Sequence, residues 1–462
     1  MMGSRQKIGI SYIPIFYKGE HSMENTPASL SAKDIKLVGT LCILIVYAKI
    51  NLTMFNLAVP SISLAFSLST SQVSWIMAGY TIILAIGAGV YSKLTGRFSF
   101  KFLYTIGLLL FTAGSIVGFL SSSFTQVIIG RLIQATGAAA ISPLSYGIVT
   151  RFFHSGIRGR VLGALSATIA FASGFGPVFG GFIEEYAGWH ALFVVSASCL
   201  LVLPFIFKYI PDAEYHKEPF DVIGMALFSA GVTFFMLGIT MHFVLCIGGL
   251  LVLVVFWGYI NKAAHPFISA GLLKKTPYRR LLWIALITFL CNTGLTFILP
   301  IIMKGVFNMP TGEVGLLMVP GALAATFLGP IIGSWSDRYG SLRVLKITHW
   351  LVIGGFILLS FSAKLSPWGI ALLIILPMVG ANGLLTAGGK LISLTLDVSE
   401  SGMGMGIFTL AYLLGGAFGP ALTGRLIDSN MSYGMVYIGL AAIGLLSFML
   451  TLFVRETNDK LD

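Results

Sequence analysis

The chain has 462 residues, of which 56% are hydrophobic and only 10% charged, a balance that excludes a water-soluble domain of this size. The formal net charge of +12 would point a soluble protein toward nucleic acid, but here the positive residues sit between apolar runs, so membrane topology accounts for them and no nucleic-acid partner is expected. In hydrocarbon every backbone polar group must be bonded internally, and apolar runs of roughly 20 residues meet that demand as spanning helices rather than barrel strands.

Residues 1–35 form an N-terminal segment without the basic, apolar and small-residue succession of a cleaved signal peptide. Within it, Lys18-Gly19-Glu20 can be encoded by a purine-rich ribosome-binding sequence at a suitable distance before Met23, which makes Met23 the expected start of translation. Six spans follow, near 36–64, 72–94, 101–120, 124–149, 159–183 and 189–209, giving a first half over 36–209. Two further runs, near 221–240 and 242–261, form an insertion over 210–262, and a basic linker over 263–280 carries Lys274, Lys275, Arg279 and Arg280. The second half, 281–453, holds spans near 281–303, 313–335, 342–362, 368–391, 402–427 and 433–453, and 454–462 is a tail. The expectation is an all-α polytopic membrane protein with 14 transmembrane helices.

Of the 29 lysines and arginines, 24 fall in alternate segments on one side; only Lys304 and Lys364 fall in the other loops, and Lys49, Arg131 and Arg425 lie inside apolar runs. Cytoplasmic loops retain positive charge, so both termini are expected in the cytoplasm.

The halves repeat. In span 5, Gly176-Pro177 with Gly180-Gly181 is matched in span 13 by Gly419-Pro420 with Gly424, displaced by 243 residues. The turn after span 2, with Gly96, Arg97 and Lys101, is matched by the turn after span 10, with Gly333, Asp337, Arg338, Gly340 and Arg343, displaced by 241. Small residues on one helical face permit close helix approach, and proline invites a bend, which suits gating helices as well as plain packing. Asp337, at a tight turn among cations, is expected to accept from a helix N-terminus or a neighbouring arginine, forming a cytoplasmic latch; a solvated loop is the other reading.

Arg131 stands in span 4 beside Gln134, and Lys49 stands mid-way along span 1 with Asn51 and Asn56. Ionisable groups at membrane depth are costly and mark function by default. Snorkelling remains open for Arg131, whereas Lys49, about 20 Å deep, is beyond it and lines a cavity or makes a packed polar contact. Glu184, Glu185 and the pair Arg425 and Asp428 read as rim or interfacial ion-pair residues. No catalytic or metal-binding set is present: Gly388-Gly389-Lys390-Leu391 lacks the elements of a phosphate loop, and Cys42, Cys199, Cys246 and Cys291 lack metal spacing. No cofactor is expected.

The segment from Asn51 to Pro60, Arg131 with Gln134 and Gly137, the two Gly-Pro elements, Phe220-Asp221 opening the insertion, and Asp337 to Arg343 together resemble the major facilitator superfamily over residues 36–455. Within it the resemblance is to the fourteen-span drug:proton antiporter branch, with its Gram-positive tetracycline and multidrug exporters. That resemblance implies a monomer in a bacterial plasma membrane exporting a small molecule by alternating access, with the proton gradient as energy source, as in multidrug efflux and antibiotic resistance. Several features depart from the pattern: Asn51 replaces an aspartate, Gly96 and Ser99 replace the aspartate and the glycine of the first turn, and Leu52, Ser173 and Gly415 stand where tetracycline exporters carry glutamates. With Lys49 and Arg131 present, the expected cargo shifts toward anionic or zwitterionic compounds.

Overall fold

A computed structural model describes residues 31–211, 221–264, 266, 268–362, 365–396 and 398–454. Met23, Phe220, Lys364 and residues 455–462 lie outside them, so the expected start, the first residue of the insertion motif and the tail are not described.

All regular structure among the described residues is helical. Spans 1 to 6 are Ala32–Ala65, Thr70–Leu94, Phe100–Phe119, Phe124–Phe152, Ser155–Ala187 and Ala191–Tyr209. Spans 7 and 8 are Val222–Thr240 and Val244–Ile260. Spans 9 to 14 are Thr276–Gly305, Thr311–Tyr339, Ser341–Leu359, Pro367–Thr395, Val398–Asp428 and Tyr433–Leu452. Thirteen are long and apolar enough to cross a bilayer, and span 8 is its shorter antiparallel companion at 17 residues. Several helices run a turn beyond the apolar runs because polar and charged residues continue them past the hydrocarbon, as at Ser155 to Arg158 and Thr276 to Arg280.

Short polar residues start these helices. Ser31 accepts from the Asp34 amide while Asp34 accepts in return, and Ser69 and Gln72 repeat the device before span 2, satisfying amides that the first turn leaves without partners. Gly340, at φ +88°, ends span 10 in a conformation that favours glycine. Proline sits inside spans 1, 5, 9, 10 and 13 without ending them.

In each half the fifth helix, span 5 or span 13, packs its glycines against the first span of that half. In the first, a side chain at Gly176 would collide with Thr53, and a Cβ at Gly180 would lie 2.6 Å from the Met54 backbone. In the second, Gly419 lies as closely against Thr293 and Leu290, and Gly415 against the Leu286 carbonyl. Spans 5 and 13 also cross to the other half, span 5 against span 10 and span 13 against span 2. The insertion packs on itself where Gly238 meets Cys246, and leans on the rest through Trp75 Nε1 donating to Thr240 Oγ1 at 3.0 Å. Its outer face, with Val244, Leu251 and Val254, stays exposed and apolar, as a lipid-facing surface must be.

Two ends of the bundle are distinct. The near end, where span 1 begins, carries Lys93, Arg97, Arg151, Lys208, Lys275 and Arg343; the far end, where span 1 finishes, carries Lys304. On span 5, Gly163 and Gly181 are 18 residues apart, five full turns, so they share one face. A Cβ at Gly181 would lie 2.5 Å from the Thr311 carbonyl oxygen of span 10, yet one at Gly163 meets no described atom within 4 Å. Span 13 repeats this: a Cβ at Gly424 would lie 2.8 Å from the Thr70 carbonyl oxygen, and one at Gly406 meets no described atom within 4 Å. Along these two helix faces the opposite half is in contact at the far end, and no described atom approaches the near-end glycines.

Candidate functional site

Arg131 is fully buried in span 4, seven residues from its far-end start. Its guanidinium lies between two rings, 4.0 Å from the centroid of Phe55 on span 1 and 4.0 Å from that of Tyr80 on span 2. Stacking on both faces offsets part of the loss of hydration that burial imposes on a cation. At its edge, Nη1 donates to Asn51 Oδ1 at 2.8 Å and to Gln134 Oε1 at 3.0 Å, and Nε reaches the Ile76 carbonyl at 3.5 Å.

The network continues outward in both directions. Asn51 Nδ2 donates to Ser196 Oγ of span 6 at 2.7 Å, and Gln134 Nε2 donates to Ser115 Oγ of span 3 at 2.7 Å. Five spans of the first half are thus joined by one guanidinium through neutral partners, and neither its contacts nor theirs include a carboxylate. Its Nη2 is buried without a hydrogen-bond partner. Snorkelling to an interface is ruled out by this enclosure.

Lys49 lies at the midpoint of span 1, half-buried, and its ammonium has no hydrogen-bond or ion-pair partner among the described residues. Asn56, seven residues on and so on the same face, is 4% exposed with Oδ1 unpartnered. The structure thus groups Asn51, Arg131 and Gln134, and leaves Lys49 and Asn56 as a separate polar stripe at mid-depth.

The second turn differs from expectation. Asp337 pairs with Lys390 of span 12 at 2.5 Å, neither with an arginine nor with a helix N-terminus, and Lys390 also donates to the Ser336 carbonyl at 3.1 Å. Both partners belong to the second half, so this contact does not tie the halves together; Arg338 and Arg343 are exposed. At the first turn Arg97 and Lys101 are each engaged.

The far end also corrects a reading. Asp428 does not pair with Arg425; it accepts from the Thr70 and Ser71 amides, each at 2.8 Å. Glu184, 8% exposed, pairs with Lys304 of span 9 at 3.3 Å and accepts from Ser61, while Glu185 accepts from the Gly312 amide at 2.8 Å. Sequence reasoning assigned no role to Phe55, Tyr80, Ser115 or Ser196. No spacing in the sequence reveals that Phe55 and Tyr80 flank Arg131, because the three residues lie on different spans and meet only in the fold.

The Major Facilitator Superfamily profile matches residues 41–381 and, overlapping, 281–462. The chain belongs to this superfamily. Over 449 residues it is 24% identical to the riboflavin transporter RibZ of Clostridioides difficile, covering 91% of this chain and 97% of that protein. It is 26% identical over 424 residues to YwoD of Bacillus subtilis, an uncharacterized MFS-type transporter, covering 85% and 92% of the two chains. The fold matches that of a bacterial homologue of the human lysosomal transporter Spinster with a TM-score of 0.67 at 14% identity, covering 92% of this chain and 97% of that one. The human organic anion transporter MFSD10 shares the fold with a TM-score of 0.62 at 15% identity, over 91% of this chain and 100% of that one. As a superfamily member the protein is a multi-pass membrane transporter and not an enzyme.

Proposed function

We propose that this transporter exports a small organic anion or zwitterion across a bacterial plasma membrane by alternating access, in exchange for protons, as a member of the fourteen-span antiporter branch. The observation that carries the reading is Lys49: a cation at the middle of span 1 with no partner among the described residues is a binding group for an opposite charge. The likeness to a riboflavin transporter supports a small organic metabolite as cargo. The basic near end is cytoplasmic by the charge rule, both termini with it, so the separated near ends of spans 5 and 13 open the path to the cytoplasm. A cationic drug is disfavoured, because the cluster around Arg131 offers it no carboxylate.

That same absence favours a second reading, a proton-independent facilitator for an organic anion. The two separate in energised inside-out vesicles loaded with a pH-sensitive dye and challenged with anionic, zwitterionic and cationic compounds. Export by antiport gives dequenching with anions or zwitterions; flux of labelled compound without dequenching gives the facilitator, and dequenching by cations alone overturns the charge assignment. In the same vesicles Lys49→Ala raises KM for the transported compound roughly tenfold or more, as loss of one charge-assisted contact of about 1.5–3 kcal/mol does. An unchanged KM removes Lys49 from the binding site.

A further inference from the structure

The internal repeat extends to the far-end carboxylates. Asp428 follows Glu185 by 243 residues, the displacement that separates Gly424 from Gly181. Their targets are also repeat-related, since Thr311 and Gly312 follow Thr70 and Ser71 by 241. Each acid stands four residues after its glycine, hence on the same face of the helix. In both copies the glycine lets the start of the opposite half's second span come within van der Waals reach, and the acid accepts backbone amides there: Gly312 for Glu185, Thr70 and Ser71 for Asp428.

We propose that Glu185 and Asp428 are gate residues of the transport cycle, a symmetric two-point latch that holds the far end shut whenever the near end is open. The first amides of a helix have no partner within it and carry the positive end of its dipole, so a carboxylate from the facing half closes on them with charge-assisted bonds. Such bonds suit a gate that must open every cycle. When the halves part at the far end, acids and amides are all returned to water, which satisfies them, and no charge is stranded in hydrocarbon. The ion pair of Glu184 with Lys304, helped by Ser61 and Thr311, lies beside one latch point only, because Ile427 holds the position 243 residues after Glu184. The symmetric element is therefore the acid-to-amide contact rather than the ion pair. The inference requires only membership in the superfamily, not the export reading.

The test measures spacing rather than flux, so that failure of the export reading leaves it intact. Spin labels are placed at Leu120→Cys and Phe361→Cys, exposed positions at the far ends of spans 3 and 11 that are themselves 241 residues apart, in the full chain with its four native cysteines replaced. In lipid nanodiscs without substrate, Glu185→Ala with Asp428→Ala is expected to raise the far-end-open population about tenfold over the parent, with each single variant and the Glu185→Gln and Asp428→Asn pair intermediate. A distance distribution unchanged in the double variant overturns the latch. One single variant that opens the far end as fully as the double overturns its symmetry. If the double variant does not insert, the two single variants and the amide pair carry the same comparison, and no opening in any of them overturns the proposal.

Discussion

Arg131→Ala abolishes transport, with flux falling at least about a hundredfold, while the protein still inserts and keeps its helices. Removing the guanidinium strips Asn51 Oδ1 and Gln134 Oε1 of their donor in a buried setting. Each orphaned group costs about 1–3 kcal/mol, and two such losses, about 2–6 kcal/mol together, span the roughly 2.8 kcal/mol that a hundredfold change in a conformational equilibrium requires. Phe55 and Tyr80 would also face each other across the space the guanidinium fills. Insertion depends on the apolar length of the spans, which the change leaves alone. Arg131→Lys keeps the charge but loses the planar fork and the double stacking, so it restores less than about a tenth of the flux. Labelled-compound flux in proteoliposomes with matched protein content reads the result, and retention of wild-type flux in Arg131→Ala removes this residue from the mechanism. Asn51→Asp is the complementary arm: it puts a carboxylate against the guanidinium and is expected to make flux more sensitive to the pH gradient than in the parent.

The second large effect is steric. Gly180→Ala and Gly415→Ala each add a methyl group against backbone, that of Met54 in one case and of Leu286 in the other, where no flexible side chain can yield. Overpacking of this kind costs about 1–3 kcal/mol per site. The sites are far apart on different helix pairs, so their effects on thermal unfolding should add. Each single variant is expected to melt earlier than the parent and to transport more slowly, since spans 5 and 13 can no longer seat against spans 1 and 9. Gly163→Ala and Gly406→Ala, on the same two helices with open space before them, are the controls and should melt with the parent. Equal melting of all four variants would show that the glycine faces do not set the packing.

Much of this was readable in the chain. The spans follow from apolar run length, and their order and approximate ends from the polar residues between runs. The repeat was visible because Gly-Pro elements are rare enough for two at matching offsets to mean something, and the structure gives the reason for the match: both place a glycine face on the first span of the same half. Arg131 stood out because a cation in an apolar run needs an explanation. Its partners did not stand out. Ser115 and Ser196 look like any serine in a membrane helix, where a hydroxyl bonds to its own backbone, and only the fold reveals that Gln134 and Asn51 reach them. Asp428 misled for a related reason. Arg425 is its neighbour along one helix, but the amides at the start of span 2, from the other half of the chain, offer the carboxylate two donors in good geometry. Asp337 likewise finds Lys390, 53 residues away, over the arginines of its own turn.

Parting of the halves at the basic end would expose one face of span 5 and the repeat-related face of span 13, around Gly163 and Gly406. A membrane-impermeant thiol reagent applied to the cytoplasmic side of cells or vesicles carrying Gly163→Cys or Gly406→Cys tests it directly, with Ser71→Cys, a nearly isosteric change at a buried far-end position, as the closed-end comparison. Labelling of the first two from the cytoplasmic side only, blocked by the transported compound, and protection of Ser71→Cys are the expected results; labelling of Ser71→Cys from the opposite side while Gly163→Cys and Gly406→Cys stay protected would contradict it.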